Sequence, residues 1–305
     1  MYNYVPPRPL EVDLRNEWAY QLRTRAAEWL DDYVTTTGAE RGTAEQQGYG
    51  ALAEVVVRNL LGLSDIRPPD QSAGFDIELP SGVKVDVKCR GGAFPFQEQY
   101  EGRDGLPREA KHNLFARQVY DEDLDTDVYL MVHLRTPQNG QLPGTTRQRN
   151  WRLYVCGWVS KLRAVREGVY LPRGSLTERG GSWFVYRGQE VEFYNKNLNG
   201  LTAVRDLLQV DSQDVEEDSR RVGGFNLTSV DAARIVYDLV GRGLMSQDRI
   251  GPISELLAFG GRVGPILHPN QYAHFARWLH AQGLVTQPEL DLIIQQLPAE
   301  PYAGI

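Results

Sequence analysis

The stretch Gly74 to Arg90, GFDIELPSGVKVDVKCR, constrains this chain more than any other. Apolar and polar residues alternate with period two on both sides of Pro80-Ser81-Gly82, a pattern that predicts a β-hairpin. Proline suits the first corner of a type I turn, and glycine suits a left-handed position after it. The turn fixes a register in which paired positions sum to 162. Leu79 then faces Val83, Ile77 faces Val85 and Phe75 faces Val87, an apolar stripe for a core. On the polar face Glu78 meets Lys84, an attractive pair, whereas Asp76 meets Asp86. Two like charges across a strand pair are destabilising unless a cation lies between them. Lys88, two residues past Asp86, projects on the same face. Two carboxylates beside an ammonium predict a divalent metal site with a catalytic lysine.

Upstream, Thr43 to Leu63 reads as a helix whose middle, LAEVVV, is apolar enough to be buried. Glu54 is its odd residue. One reading pairs it with Arg58 four positions on, on an exposed face. The other brings it to the hairpin carboxylates.

The spacing Asp76, nine intervening residues, then Asp86-Val87-Lys88 resembles the D-x(n)-(D/E)-x-K signature of the PD-(D/E)xK nuclease superfamily. Phe75 stands where that superfamily has proline, and Asp86 stands where glutamate is commoner. An acidic residue on a preceding helix often completes the site there, and Glu54 matches that place. The resemblance implies a restriction-endonuclease-like α/β core, a mixed sheet flanked by helices. It implies Mg²⁺ or Mn²⁺ held by Asp76, Asp86, the Val87 carbonyl and Glu54, with Lys88 orienting the attacking water. The implied reaction is phosphodiester hydrolysis, in DNA. The superfamily often places a substrate-contacting helix after the hairpin. Arg108 to Tyr120 is expected to form it, with Gln118 and Lys111 as contacts. The GWV segment, a short helix at Ser160 to Arg166 and a late strand at Glu190 to Tyr194 resemble the tail of nuclease-like proteins from phages and bacteria. Two other readings compete: a nuclease-fold protein that binds DNA or a protein partner without cutting, and Asp76 and Asp86 as ordinary hairpin surface residues.

Charge bears on the choice of partner. The formal net charge is −7 over 305 residues, yet Arg147 to Arg187 holds nine basic residues against Glu167 and Glu178. That local excess predicts a phosphate-binding face, with Arg147, Arg149 and Arg152 leading it, or else a solvated basic surface. The hydrophobic share of 41% and charged share of 24% are those of a globular protein, and no run approaches a membrane span. Cys89 and Cys156 have no metal-ligand spacing and no secretory signal precedes them. They are expected to be free thiols in a cytoplasm, the host cell's if the protein is viral.

Four segments are expected. Residues 1–42 form an N-terminal helical segment after a proline-rich lead-in, with Leu14, Trp18, Leu22 and Ala26 along one helix face. Residues 43–208 form the nuclease-like core, in the order helix, three strands, helix, two strands. Within it, Gly91 to Pro107 is a loop carrying Phe94, Phe96 and Tyr100, and Val128 to Leu134 and Trp151 to Val159 are strands. Residues 209–226 are an acidic linker. Residues 227–305 form a C-terminal helical domain built from a repeat at an offset of 40, which aligns Leu239 with Leu279, Gly243 with Gly283, Leu244 with Leu284 and Ile253 with Ile293. Each unit reads as an αα-hairpin, with Ser246 and Thr286 as matching helix N-caps, and the pair offers a surface for a protein partner. His268, His274 and His280 lack acidic partners at ligand spacing and are expected to be ordinary core or surface histidines.

Overall fold

The computed structural model describes residues 7–37, 44–63, 74–92, 99–101, 107–120, 124–135, 151–171, 176–179, 182–185, 190–221, 235–237, 239–258 and 271–296. In chain order the first elements are β1 (Leu10–Asp13), α1 (Glu17–Thr37), α2 (Ala44–Leu60), β2 (Ile77–Glu78) and β3 (Lys84–Gly92). They are followed by β4 (Gln99–Glu101), β5 (Pro107–Glu109), β6 (Lys111–Phe115), α3 (Ala116–Tyr120), β7 (Val128–Arg135), β8 (Arg152–Ser160) and α4 (Lys161–Glu167). The rest of the α/β part is β9 (Val169–Leu171), β10 (Leu176–Arg179), β11 (Ser182–Val185), β12 (Glu190–Tyr194) and α5 (Ser212–Arg220). Helices at Ile250–Ala258, Gln271–Ala281 and Gln287–Gln295 complete the chain.

The protein is mixed α/β. Its main sheet has five strands in the order β1-β8-β7-β3-β2. β3 and β7 run parallel, and the other neighbours are antiparallel. β7 is the apolar run VYLMVHL, buried on both faces as a central strand must be. On one face α1 and α2 bring Leu22, Ala26, Leu52 and Val56 against Val85, Val87, Leu130, Val132 and Val155. The other face carries Tyr129, Met131 and Cys156. It is covered by α3, α4 and a second sheet, β6-β12-β9, through Leu114, Val119, Val165, Val191 and Phe193.

The hairpin turn forms as the sequence predicts. Ile77 pairs with Val85 and Glu78 with Lys84, and Gly82 takes φ 85°, a left-handed conformation that suits glycine. Two expectations are corrected, and a third, the extended proline-rich lead-in, is refined. Arg108 to Tyr120 is not one helix: it divides into β5, β6 and the five residues of α3, because Lys111 to Phe115 alternates inward and outward along β12. The proline-rich lead-in supplies the edge strand β1, which pairs with β8. The expected acidic linker contains α5, whose Asp218 is buried. Asp218 accepts hydrogen bonds from the Ser160 N–H, Arg163 and Asn199, each at 2.8 Å, and thereby ties α5 to the end of β8.

The two C-terminal units share one local geometry. Gly243 and Gly283 have φ of 70° and 72°, and the N–H groups of Leu244 and Leu284 reach back to the carbonyls of Leu239 and Leu279. Thr286 caps its helix in a capping box with Glu289, while Ser246 makes no side-chain cap. Phe275, Leu279, Leu239, Ile253 and Ile293 form an apolar cluster that also takes in Tyr194 of β12. His280 meets the Val285 carbonyl at 2.8 Å, a turn-bracing contact; His268 and the side chain of His274 lie outside the described residues.

Candidate functional site

Asp86 and Lys88 occupy alternate positions on β3 and so project to one face of the sheet. That face is not solvent, as a polar hairpin surface would be. Asp86 is 2% exposed, because the layer carrying β6 and α3 closes over it. Lys88 Nζ lies 2.7 Å from Asp86 Oδ2, and Gln118 Nε2 on α3 stands 3.5 Å from the same oxygen. Gln118 is held by its backbone, whose carbonyl accepts from the Tyr129 hydroxyl at 2.7 Å.

Asp76 approaches from the other arm, though not as a ladder partner of Asp86. Its N–H donates to the Val85 carbonyl at 2.9 Å, one place short of the expected register, and the ladder stops at Ile77. The Asp76 side chain turns onto the β3 backbone, where Oδ2 accepts from the Val87 N–H at 2.7 Å. Its carboxyl also makes hydrogen-bonding contact with Asp86. Burial and then the Asp86 charge push the Asp76 pKa well above the ordinary carboxylate range.

Glu54 reaches this cluster from α2. It is 6% exposed, which rules out the exposed-face reading of its pairing with Arg58. Arg58 Nη1 is 3.6 Å from Glu54 Oε1, which is buried and has no hydrogen-bond partner. Burial first and Asp76 second raise the Glu54 pKa, against the lowering influence of Arg58. Three acidic groups thus converge with Lys88 and Arg58.

The Glu78–Lys84 pair is a ladder pair, but the Lys84 ammonium bonds to Asp125 in the loop before β7. Lys111 sits on β6 with its ammonium 2.5 Å from Glu192, a fully buried carboxylate, and it does not extend from a helix. Arg152 is paired with Glu11 and Asp13. In the ladders it aligns with Arg135 and Gly92, six residues along β3 from Asp86, or roughly 20 Å. Lys161 donates to the Leu124 carbonyl, and Arg163 pairs with Glu167 and Asp218. These three members of the expected basic face are therefore engaged within the protein. Arg147, Arg149, Phe94 and Phe96 lie outside the described residues, as does the side chain of Tyr100.

In its chemistry the hairpin cluster could hold a hard divalent cation: its donors are carboxylate oxygens, three acids stand against Lys88 and Arg58, and Glu54 Oε1 lacks a hydrogen bond. Among the described residues no group of three or more His, Cys, Asp or Glu side chains is placed so that it could hold a metal ion, so the fit of the hairpin cluster is one of donor chemistry and charge. Arg58, Tyr129 and the Val87 N–H belong to the site and are not singled out by the motif. The i,i+4 spacing of Glu54 and Arg58 was the one sequence signal for any of them. Compared with family models, curated proteins and solved structures, the chain matches none. Among the described residues no helix is long and apolar enough to cross a membrane.

Proposed function

We propose that the protein is a Mg²⁺- or Mn²⁺-dependent deoxyribonuclease built on a restriction-endonuclease-like core, with its two C-terminal helical hairpins forming an all-α unit. The observation that carries this reading is the meeting of Asp76, Asp86 and Glu54 beside Lys88, with Asp86 and Glu54 buried and the Asp76 pKa raised by burial and by the Asp86 charge. Asp76, Asp86, the Val87 carbonyl and Glu54 would hold the ion. When bound, it supplies Lewis acidity at a phosphate oxygen and makes a water more acidic. Lys88 donates hydrogen bonds at the same place, orienting the attacking water and offsetting charge that develops on the phosphoryl oxygens. Gln118, already turned toward Asp86, offers an amide to the substrate side of the pocket.

The test compares wild type with Asp86→Ala and Lys88→Ala on linear, circular and single-stranded DNA, with EDTA, Mg²⁺ or Mn²⁺. Each substitution is expected to reduce cleavage by at least about a hundredfold while the protein stays folded. Undiminished cutting by Asp86→Ala contradicts the assignment.

A second reading has its own support. Lys88 and the Val87 N–H already engage the carboxylates, and Arg152, Lys161 and Arg163 are internally paired. A protein of this fold that binds DNA or a protein partner without cutting would retard DNA equally with and without metal, in wild type and variants alike.

A further inference from the structure

Arg58 stands on α2 one turn after Glu54 and on the same side of the helix. A single nitrogen, Nη1, lies 3.6 Å from Glu54 Oε1 and donates to the backbone carbonyl of Asp76 at 2.6 Å. The Arg58 side chain is 13% exposed, so this contact is made away from bulk water. It joins the two elements that are otherwise separate contributors to the site: the helix that carries Glu54 and the hairpin arm that carries Asp76. It does so where the β2–β3 ladder has already ended, so Asp76 is held by its own N–H, by the Val87 N–H and by Arg58. Arg58 also supplies the second cation among five ionisable groups, Glu54, Asp76, Asp86, Lys88 and itself. With every carboxyl ionised, it thereby limits the formal charge of the group to −1.

We propose that Arg58 is a positioning residue of the cation site. It fixes the separation of Glu54 from Asp76 by clamping α2 to the hairpin, and it touches neither cation nor substrate. This rests on the reading of the hairpin cluster as a divalent-cation site. A guanidinium suits the task because Nη1, held in a rigid planar frame, carries two donors and reaches the Glu54 carboxylate and the Asp76 carbonyl together, whereas an ammonium on a flexible stem is a single point charge. Groups that orient metal ligands typically change metal affinity by 10- to 100-fold when removed.

The test uses the full chain and Mn²⁺ alone, without DNA. Wild type, Arg58→Ala and Arg58→Lys are titrated with Mn²⁺ by calorimetry and by thermal shift, and circular dichroism checks that each is folded. Arg58→Ala is expected to weaken Mn²⁺ binding on the order of tenfold, with Arg58→Lys between it and wild type. Millimolar guanidinium is expected to return part of the lost affinity to Arg58→Ala, which a general loss of stability would not allow. DNA cleavage should show the same change in Mn²⁺ requirement with an unchanged KM for DNA. Wild-type Mn²⁺ affinity in a folded Arg58→Ala overturns the proposal. If that variant does not fold, wild-type affinity in Arg58→Lys overturns it instead. Failure of the wild type itself to bind Mn²⁺ overturns the cation-site reading beneath it, so the two failures are distinct.

Discussion

Two buried ionic clusters, one at the hairpin and one where α4 and α5 meet the end of β8, are built differently. Around Asp218 the account balances: two acids, Asp218 and Glu167, face two arginines, Arg163 and Arg221. Asp218 accepts three hydrogen bonds at 2.8 Å, and Arg163 also donates to the Asn197 carbonyl at 2.6 Å. Around Asp76 and Asp86, three acids face Lys88 and Arg58, Glu54 Oε1 has no hydrogen-bond partner, and two carboxyl pKa values are pushed upward. Each cluster keeps one buried carboxylate oxygen without a hydrogen bond, Glu167 Oε2 and Glu54 Oε1, so the difference lies in charge balance. Paired charges fix structure, whereas an excess of like charge in the same interior is a place where the chain has accepted instability. That contrast identifies the hairpin cluster as the functional candidate and the Asp218 cluster as a clamp.

The contrast can be broken by mutation. Asp218→Ala, which takes from buried Arg163 one of its two carboxylates and leaves the Ser160 N–H and Asn199 without their acceptor, should lose about 3–5 kcal/mol in urea unfolding; a loss under about 1 kcal/mol would place the clamp elsewhere. Acid should act through neither cluster first. Burial holds the His112 pKa near about 4, below its ordinary 6.5, so the folded state resists a proton that the unfolded state takes up. Stability should therefore fall by about 3 kcal/mol as pH drops from 6.5 to 4, and His112→Gln should flatten that slope. Asp76 has the opposite sign. Its raised pKa means that the folded state binds the extra proton, so metal-free stability should fall as pH rises from the ordinary carboxylate range through neutrality. Asp76→Asn should remove that fall and gain on the order of 1 kcal/mol at pH 8, read by chemical unfolding in EDTA. The smallest effect belongs to Glu54→Gln, which removes a buried charge at constant shape. Stability should change by less than about 0.5 kcal/mol, in the stabilising direction, and the response to Mn²⁺ should shrink.

The sequence made local order legible and left long-range order hidden. The hairpin register, its left-handed Gly82, strands β7, β8 and β12 and the paired turns at Gly243 and Gly283 all follow from period and turn chemistry within a few residues. Asp76 and Asp86 were legible as neighbours, but the route by which they meet was not. The ladder ends before Asp76, and its carboxylate folds onto the Val87 N–H. Lys111 to Phe115 was read at helical spacing although it alternates, because the strand is set by pairing with β12 nearly eighty residues later. The basic stretch misled for a similar reason. Arg152, Lys161 and Arg163 have partners from β1, the loop before β7, α4 and α5, and charge counted along the chain does not see them. Likewise Asp218 sits among exposed acids in sequence and at the centre of a buried network in space.

The most direct measurement is the melting temperature of wild type and Asp86→Ala across a Mn²⁺ titration in metal-free buffer, with Ca²⁺ and raised NaCl as controls for ionic strength. A cation that relieves the Asp76–Asp86 repulsion binds the folded state alone, so wild type should gain several degrees and saturate, while Asp86→Ala should hardly respond. Equal responses in the two proteins, or none in wild type, would contradict a cation site at the hairpin.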